Sequence, residues 1–292
     1  MTAMILAVGS PLDHVVQWVY HDVNPDSAFA PITLSNQICM QILAALLLIL
    51  LIPRFARMGN TQDPVRDLTP RGFGNFIESI CNYLRNEVAR PTLGEYTDRF
   101  VPYVWSAFFY VLFVNLLGLL PLEPLTRPLV QMVFPDAHHG IGGSATGNIF
   151  VTGTLAGCTM IMIVYNGIRI GGMHYIAHFC PGPLWLAPLL VPVEIIGLFA
   201  KIFALCVRLF ANMVAGHVLL AVLMSFIFTV GAKSFAGGLG VGALVVATSV
   251  AFNMLELFVA FLQAFIFTFL TTLFISQAIV FHHDDHAEEH AH

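Results

Sequence analysis

Charge is what this 292-residue chain has least of: Asp, Glu, Lys and Arg make up 10% of it, against about 25% in an ordinary soluble domain. With 58% hydrophobic residues and a mean hydropathy of +0.81, that shortage argues against a water-soluble fold. Cysteine pairing is missing too. Cys39, Cys81, Cys158, Cys180 and Cys206 lie far apart with no C-x-x-C among them, so neither a disulfide framework nor a cysteine metal site is indicated. No basic cluster accompanies the net charge of -5, which sets nucleic acid aside as a partner. No Gly-x-x-x-x-Gly-Lys-Ser/Thr loop occurs, so a nucleotide site within the chain is not expected. The lack of a His-Glu-x-x-His motif makes an intramembrane metalloprotease remote, and the lack of an internal repeat counts against an autonomous secondary transporter. No cofactor and no resident metal are expected.

What the chain has instead is long apolar runs. Several reach the roughly 18–20 residues needed to cross a bilayer, which predicts an all-α integral membrane protein. Three spans are read at about Ile32 to Pro53, Val101 to Leu122 and Asn148 to Ile168. Two longer regions follow, about Leu184 to Val230 and Phe235 to Val280, separated by a short loop with Lys233. At ~1.5 Å per residue, a forty-residue helix is ~60 Å long, about twice the hydrocarbon thickness. Each long region therefore tilts strongly, breaks, or forms two spans. The preferred count is about five membrane-embedded helices, the last two long and strongly tilted, plus one amphipathic helix.

That amphipathic helix is read between Gly74 and Val88, where Phe76, Ile77, Ile80 and Leu84 recur at spacings of three and four. It lies in a charged stretch, Arg54 to Arg99, that holds seven of the ten arginines, whereas Met1 to Ala30 contains no Lys or Arg. This asymmetry places the N-terminus outside and the Arg-rich loop in the cytoplasm. An odd number of spans then puts the C-terminus inside. No Lys or Arg precedes the short apolar stretch Ala3 to Val8, so a cleaved secretory signal is not expected. The resulting organisation is an extracytoplasmic segment over 1–31, a channel domain over 32–280 and a His-rich, acidic cytoplasmic tail over 281–292. The tail has no apolar face to bury and is expected to be disordered. His138, His139, His174 and His178 are read as solvated loop residues.

Ionisable groups inside the two long regions stand against the apolar background, since each costs about 2.5–3.5 kcal/mol at the centre of a membrane helix. Glu194, Lys201 and Arg208 are spaced by seven and return to nearly the same helix face, with Asn212 one turn further on. Asn253, Glu256 and Gln263 form a second stripe in the last region, and Gln277 follows two heptads beyond Gln263. Two polar faces imply an aqueous path or a polar contact between helices; buried ion pairs that merely hold helices together are the plainer alternative. Glu194 and Lys201 are the members that best fit that structural role.

The string Arg208-Leu209-Phe210-Ala211-Asn212-Met213-Val214-Ala215-Gly216-His217 is more specific. It resembles the R-L-F-x-N-M-x-A-G signature of subunit a of F-type ATP synthases. The resemblance extends to Glu194 and Lys201, to Asn115-Leu116-Leu117-Gly118-Leu119-Leu120-Pro121, and to Leu262-Gln263-Ala264-Phe265-Ile266-Phe267, in the family's order from about residue 35 to 280. It implies a non-catalytic, proton-translocating stator subunit; the long N-terminal segment without a recognisable transit peptide points to the bacterial cytoplasmic membrane, with an organelle inner membrane as the alternative. The implied partners are the c-ring, b-type peripheral stalk subunits, the wider FoF1 complex and membrane lipid. The translocated ion is H+, with Na+ the alternative.

By the same resemblance, Arg208 corresponds to the family's arginine facing the ring carboxylate, and it separates two offset half-channels. His217 and Glu256 correspond to the ionisable pair along the inlet side, in the order His then carboxylate, which is exchanged in some bacterial members. Gln263 resembles the glutamine that faces the arginine region, and Asn212 is placed with it. His217 is nine residues beyond Arg208, about half a turn around an ideal helix, which fits separate roles. Asn115 and Asn148 fall in family motifs, but an asparagine near a span often only pairs helices.

Overall fold

The computed structural model describes residues 19–22, 33–56, 72–120, 122–133, 140–143, 145–178, 187–231 and 235–279. Among these the chain is almost wholly helical. The helices are α1 (Asn36–Ala56), α2 (Phe73–Tyr83), α3 (Arg90–Leu93), α4 (Thr97–Leu119), α5 (Leu122–Val133), α6 (Ile149–His178), α7 (Ala187–Gly231) and α8 (Phe235–Ile279). A π-helical turn, Leu84–Ala89, joins α2 to α3. Two short strands, β1 (Val19–Asp22) and β2 (Thr33–Ser35), pair antiparallel ahead of α1. The described residues hold four stretches long and apolar enough to cross a membrane: Asn36–Arg54, Phe73–Leu119, Ile149–Ile170 and Gly240–Gln277. In α7 the apolar stretches Pro188–Gly197 and Phe203–Gly216 belong to one helix of 45 residues. With α1, α4, α6, α7 and α8, the all-α membrane architecture expected from hydropathy is present.

Each long C-terminal region is one unbroken 45-residue helix, in keeping with the preferred count of two long final helices. Two expectations need adjustment. The segment carrying Glu123 and Arg127, read as loop, is helix α5. Its prolines disguised it. Pro124 falls in the first turn, where the missing N–H would have no helical partner, and only Pro128 removes an internal bond. Finally, α6 runs on through Arg169 and His174 to His178, so those histidines stand on a helix. His138, His139, Lys233 and the C-terminal tail lie outside the described residues.

The chain divides into two compact units, the first made of 1–45, 112–152 and 207–263, the second of 46–111, 153–206 and 264–292. The second unit has a core of Ala89, Leu93, Phe100, Val101, Ile163, Phe274 and Ile275. Since lipid is as apolar as these side chains, close van der Waals packing and hydrogen bonds hold such a core, not the hydrophobic effect. The amphipathic α2 is anchored there by the Trp105 Nε1–H donating to the Cys81 carbonyl at 2.9 Å and by the Tyr83 and Phe265 rings, 6.2 Å apart. Gly74 and Ile77 are its buried positions, followed by Leu84 in the π-helical turn, while Phe73, Phe76 and Tyr83 stay exposed. Gly94, at φ +54°, ends α3 before the span α4 begins.

The first unit is tied by polar groups. The Ser35 hydroxyl accepts from the Ile38 N–H and caps α1, and Asn148 caps α6 by accepting from the Phe150 N–H at 2.9 Å. Asn36 Nδ2 donates to the Gly142 carbonyl at 3.2 Å, Asn148 Nδ2 donates to Gln37 Oε1, and Thr146 Oγ1 donates to Asn115 Oδ1 at 3.2 Å. These pairs link α1, α4 and the turn before α6, with Ser35, Asn36, Gln37, Asn115 and Thr146 all buried.

Candidate functional site

Arg208 stands one residue from the midpoint of α7. Its neighbours Leu209 and Met213 are buried, at 2% and 4% exposure, and turn that face of the helix inward. Arg208 itself is exposed and, among the described residues, has neither a hydrogen bond nor an ion pair. A guanidinium carries five donors and keeps its charge at any working pH. It stands at mid-helix in an apolar segment as a fixed positive charge without a partner among the described residues.

The second stripe lies on α8. Glu256 is half-buried, yet its Oε1 is fully enclosed without a hydrogen-bond partner, and Gln263 is buried with its Nε2 in the same condition. Ser249, seven residues before Glu256, repeats the pattern with a buried, unpartnered Oγ. Seven residues advance a helix by ~10.5 Å and return to nearly the same face. Ser249, Glu256 and Gln263 are therefore three stations of one polar row inside an otherwise apolar helix. A buried polar atom without a partner costs about 1–3 kcal/mol. Three such atoms in register set this face of α8 apart from the apolar helix around it. Ser249 was missed in the sequence because a lone serine in an apolar helix carries no charge signal; its heptad relation to Glu256 was the available clue. Asn253, in the same stripe, is exposed.

Glu256 is also where α7 meets α8. A Cβ placed on Gly216 would lie 1.6 Å from Glu256 Oε1, 2.7 Å from its Cδ and 3.3 Å from its Cγ. The carboxyl group thus rests against the bare backbone of α7, in a notch that only glycine leaves open. The residue after Gly216 is His217, so the two positions expected to act as a pair are brought to the same level by their backbones. Gly216 belongs to the motif that runs from Arg208 to His217, and the reason for a glycine there is visible only in this contact.

Arg208, Asn212, Gly216, His217, Ser249, Glu256 and Gln263 all belong to the first compact unit, whereas Glu194 and Lys201 belong to the second. The side chains of Glu194, Lys201 and His217 lie outside the described residues, although their backbones are on α7. Asn115 and Asn148, with their bonds to Thr146 and Gln37, act in helix pairing. Among the described residues no group of three or more His, Cys, Asp or Glu side chains is arranged to hold a metal.

Residues 38–276 match the protein family described as ATP synthase A chain. The chain is 43% identical over 229 residues to ATP synthase subunit a of Anaeromyxobacter dehalogenans strain 2CP-C, an alignment covering 76% of this chain and 53% of that relative. It is 37% identical over 265 residues to ATP synthase subunit a of Myxococcus xanthus, covering 89% and 78% respectively. Against ATP synthase subunit a of Chloroherpeton thalassium it is 36% identical over 266 residues, covering 89% and 71%. The chain spans about half the length of the Anaeromyxobacter relatives it matches. With the match running from the first span to the last, the chain belongs to the ATP synthase A chain family.

Proposed function

We propose that this chain is the proton-translocating stator subunit of a rotary ATP synthase, in which Arg208 meets the carboxylates of a rotating c-ring. The observation that carries this reading is Arg208 itself, an exposed cation at the middle of a 45-residue apolar helix with no partner among the described residues. The missing anion is a carboxylate on another protein. Beside the guanidinium that carboxylate is held ionised, because an opposite charge at close range favours the charged form. Away from Arg208 it takes up a proton and turns through lipid as a neutral acid, avoiding the cost of a bare charge in hydrocarbon. Arg208 cannot pass a proton on, so it divides an inlet from an outlet half-channel and makes ion flow depend on rotation.

The row Ser249, Glu256 and Gln263, with His217 beside the Gly216 notch, is the inlet path. His217 is assigned the relay because histidine is the side chain type that most readily takes up and releases protons near neutral pH. The amide of Gln263 serves the ring-facing end without adding charge, and Asn212 shares that task. Glu194 and Lys201 line the same helix further toward its N-terminus. The chain works in the bacterial cytoplasmic membrane, N-terminus outside, without catalysis of its own, beside b-type stalk subunits and the remainder of the FoF1 complex. H+ is the ion.

The test compares ATP-driven acidification of inverted membrane vesicles carrying the parent chain or Arg208→Ala, after equal assembly is verified. Pumping is lost with assembly intact, and a passive proton leak appears because the divider is gone. Undiminished coupled pumping would remove Arg208 from this role.

A further inference from the structure

Helix α5 presents three different surfaces around its axis. Thr126 and Val130 lie on the packed one: Val130 is 5% exposed, and the Thr126 hydroxyl donates to the Ile141 carbonyl. Arg127 and Gln131 are polar and exposed. Leu125, Leu129 and Met132 are apolar, yet 74%, 65% and 85% exposed. At 3.6 residues per turn these three fall within an arc of about 60°, and the edge formed by Arg127 and Gln131 points about 150° away from it. This is the division of an amphipathic helix, with an apolar stripe that the described residues leave uncovered.

What covers the stripe follows from where the chain holds it. The span α4 ends at Leu119 and α5 begins at Leu122, whose N–H donates to the Leu120 carbonyl at 2.8 Å, so the helix starts where the chain leaves the bilayer. It is held at that level, because Gly140 and Gly142 lie against its first turns and the same connection runs on into the span α6 at Ile149. Thr146 Oγ1, bonded to Asn115 Oδ1 at 3.2 Å, ties the connection back to the end of α4. Exposed apolar side chains flank α5 on both sides, Leu120 before it and Ile149 and Phe150 in the first turn of α6. The stripe therefore continues the apolar surface of the two spans at the depth where acyl chains meet headgroups. A helix divided in this way lies in the interface plane, its apolar residues among the lipid and its polar residues in water. Left in water, three large apolar side chains would stay hydrated within reach of hydrocarbon that removes them from it.

We propose that α5 lies in the membrane surface, with Leu125, Leu129 and Met132 seated among lipid acyl chains and Arg127 and Gln131 facing water. So seated, the helix holds the connection between α4 and α6 at one depth. The inference needs the membrane spans, but neither the proton path nor the side on which the N-terminus lies, so its test is separate from theirs.

The experiment places a fluorescent amino acid by codon suppression at Leu125, Leu129 or Met132, and for comparison at Arg127 or Gln131, in the assembled complex reconstituted in liposomes. Two quenchers are compared: phospholipid brominated on the acyl chain near the headgroup, and iodide present on both sides of the membrane. Bromolipid should quench the first three positions more strongly than iodide, and the order should reverse at Arg127 and Gln131. Quenching of the three apolar positions by neither agent overturns the proposal, because another protein then covers the stripe. Iodide quenching equal at all five positions overturns it too, because the helix then stands in water. If a label at Leu125 or Leu129 prevents assembly, the label at Met132, the most exposed of the three, decides.

Discussion

A carboxyl group lying against a glycine leaves no room for even a methyl. In Gly216→Ala the new Cβ would fall 1.6 Å from Glu256 Oε1, so the carboxyl must swing out of the notch or the helices must part. Misplacement of a reacting group by about 1 Å costs on the order of a hundredfold. We expect Gly216→Ala to reduce ATP-driven pumping at least about tenfold on that scale, measured in vesicles with equal complex content. Adding Glu256→Asp withdraws the carboxyl by one methylene and should recover part of the loss. A double variant no better than Gly216→Ala would show that this contact is not what limits transport. At Arg208 the planar fork matters as well as the charge, so Arg208→Lys should fail to restore coupled pumping. Full activity in that variant would reduce the residue to a point charge.

At the scale of elements, polar clasps hold the first unit where apolar packing has little to gain from lipid. The stretch Gly140 to Gly142 lies on the first turn of α5 so closely that a Cβ on Gly142 would be 2.5 Å from the Glu123 nitrogen and 2.8 Å from its Cα. Thr126 Oγ1 completes the clasp by donating to the Ile141 carbonyl at 2.5 Å. These neighbours are backbone and cannot step aside. Gly142→Ala should therefore destabilise the unit by about 1–3 kcal/mol, the usual cost of overpacking, seen as a lower unfolding midpoint and faster proteolysis of the connection between α4 and α6. Unchanged midpoint and cleavage would show that the connection yields freely. The surface ion pair of Arg85 with Asp98, 2.6 Å apart and 46% and 79% exposed, is a different case. Exposed pairs contribute about 0–1 kcal/mol, and its removal should leave the midpoint nearly unmoved.

For the whole molecule, the proposed role makes Arg208, unpartnered among the described residues, a test of whether the chain works alone. Extracted in mild detergent, it should copurify with a ring of small membrane proteins bearing a carboxylate. Reconstituted alone in liposomes, it should exchange no solute. Solute exchange by the isolated chain would favour an autonomous transporter instead. Its orientation can be read with a membrane-impermeant thiol reagent on single cysteines placed before Ala30 and after His282. Labelling of the first from outside and of the second only in inverted vesicles is expected from the arginine asymmetry.

The spans were legible in the order of residues alone, because crossing a bilayer requires a length of apolar chain that can be counted. That order also determined the candidates, because an ionisable residue in such a run is costly enough to need a reason. Helix ends were less legible. Prolines and charges disfavour a helix without always ending it, so α5 was read as loop and α6 as ending before His174. Spacing along a helix says which residues share a face, but not which face meets which neighbour. It took the packing of the helices to show that Gly216 receives Glu256 and that Asn36 reaches Gly142 across 106 residues. Each is a contact between parts of the chain remote in sequence, set by how helices pack and not by what any one of them prefers.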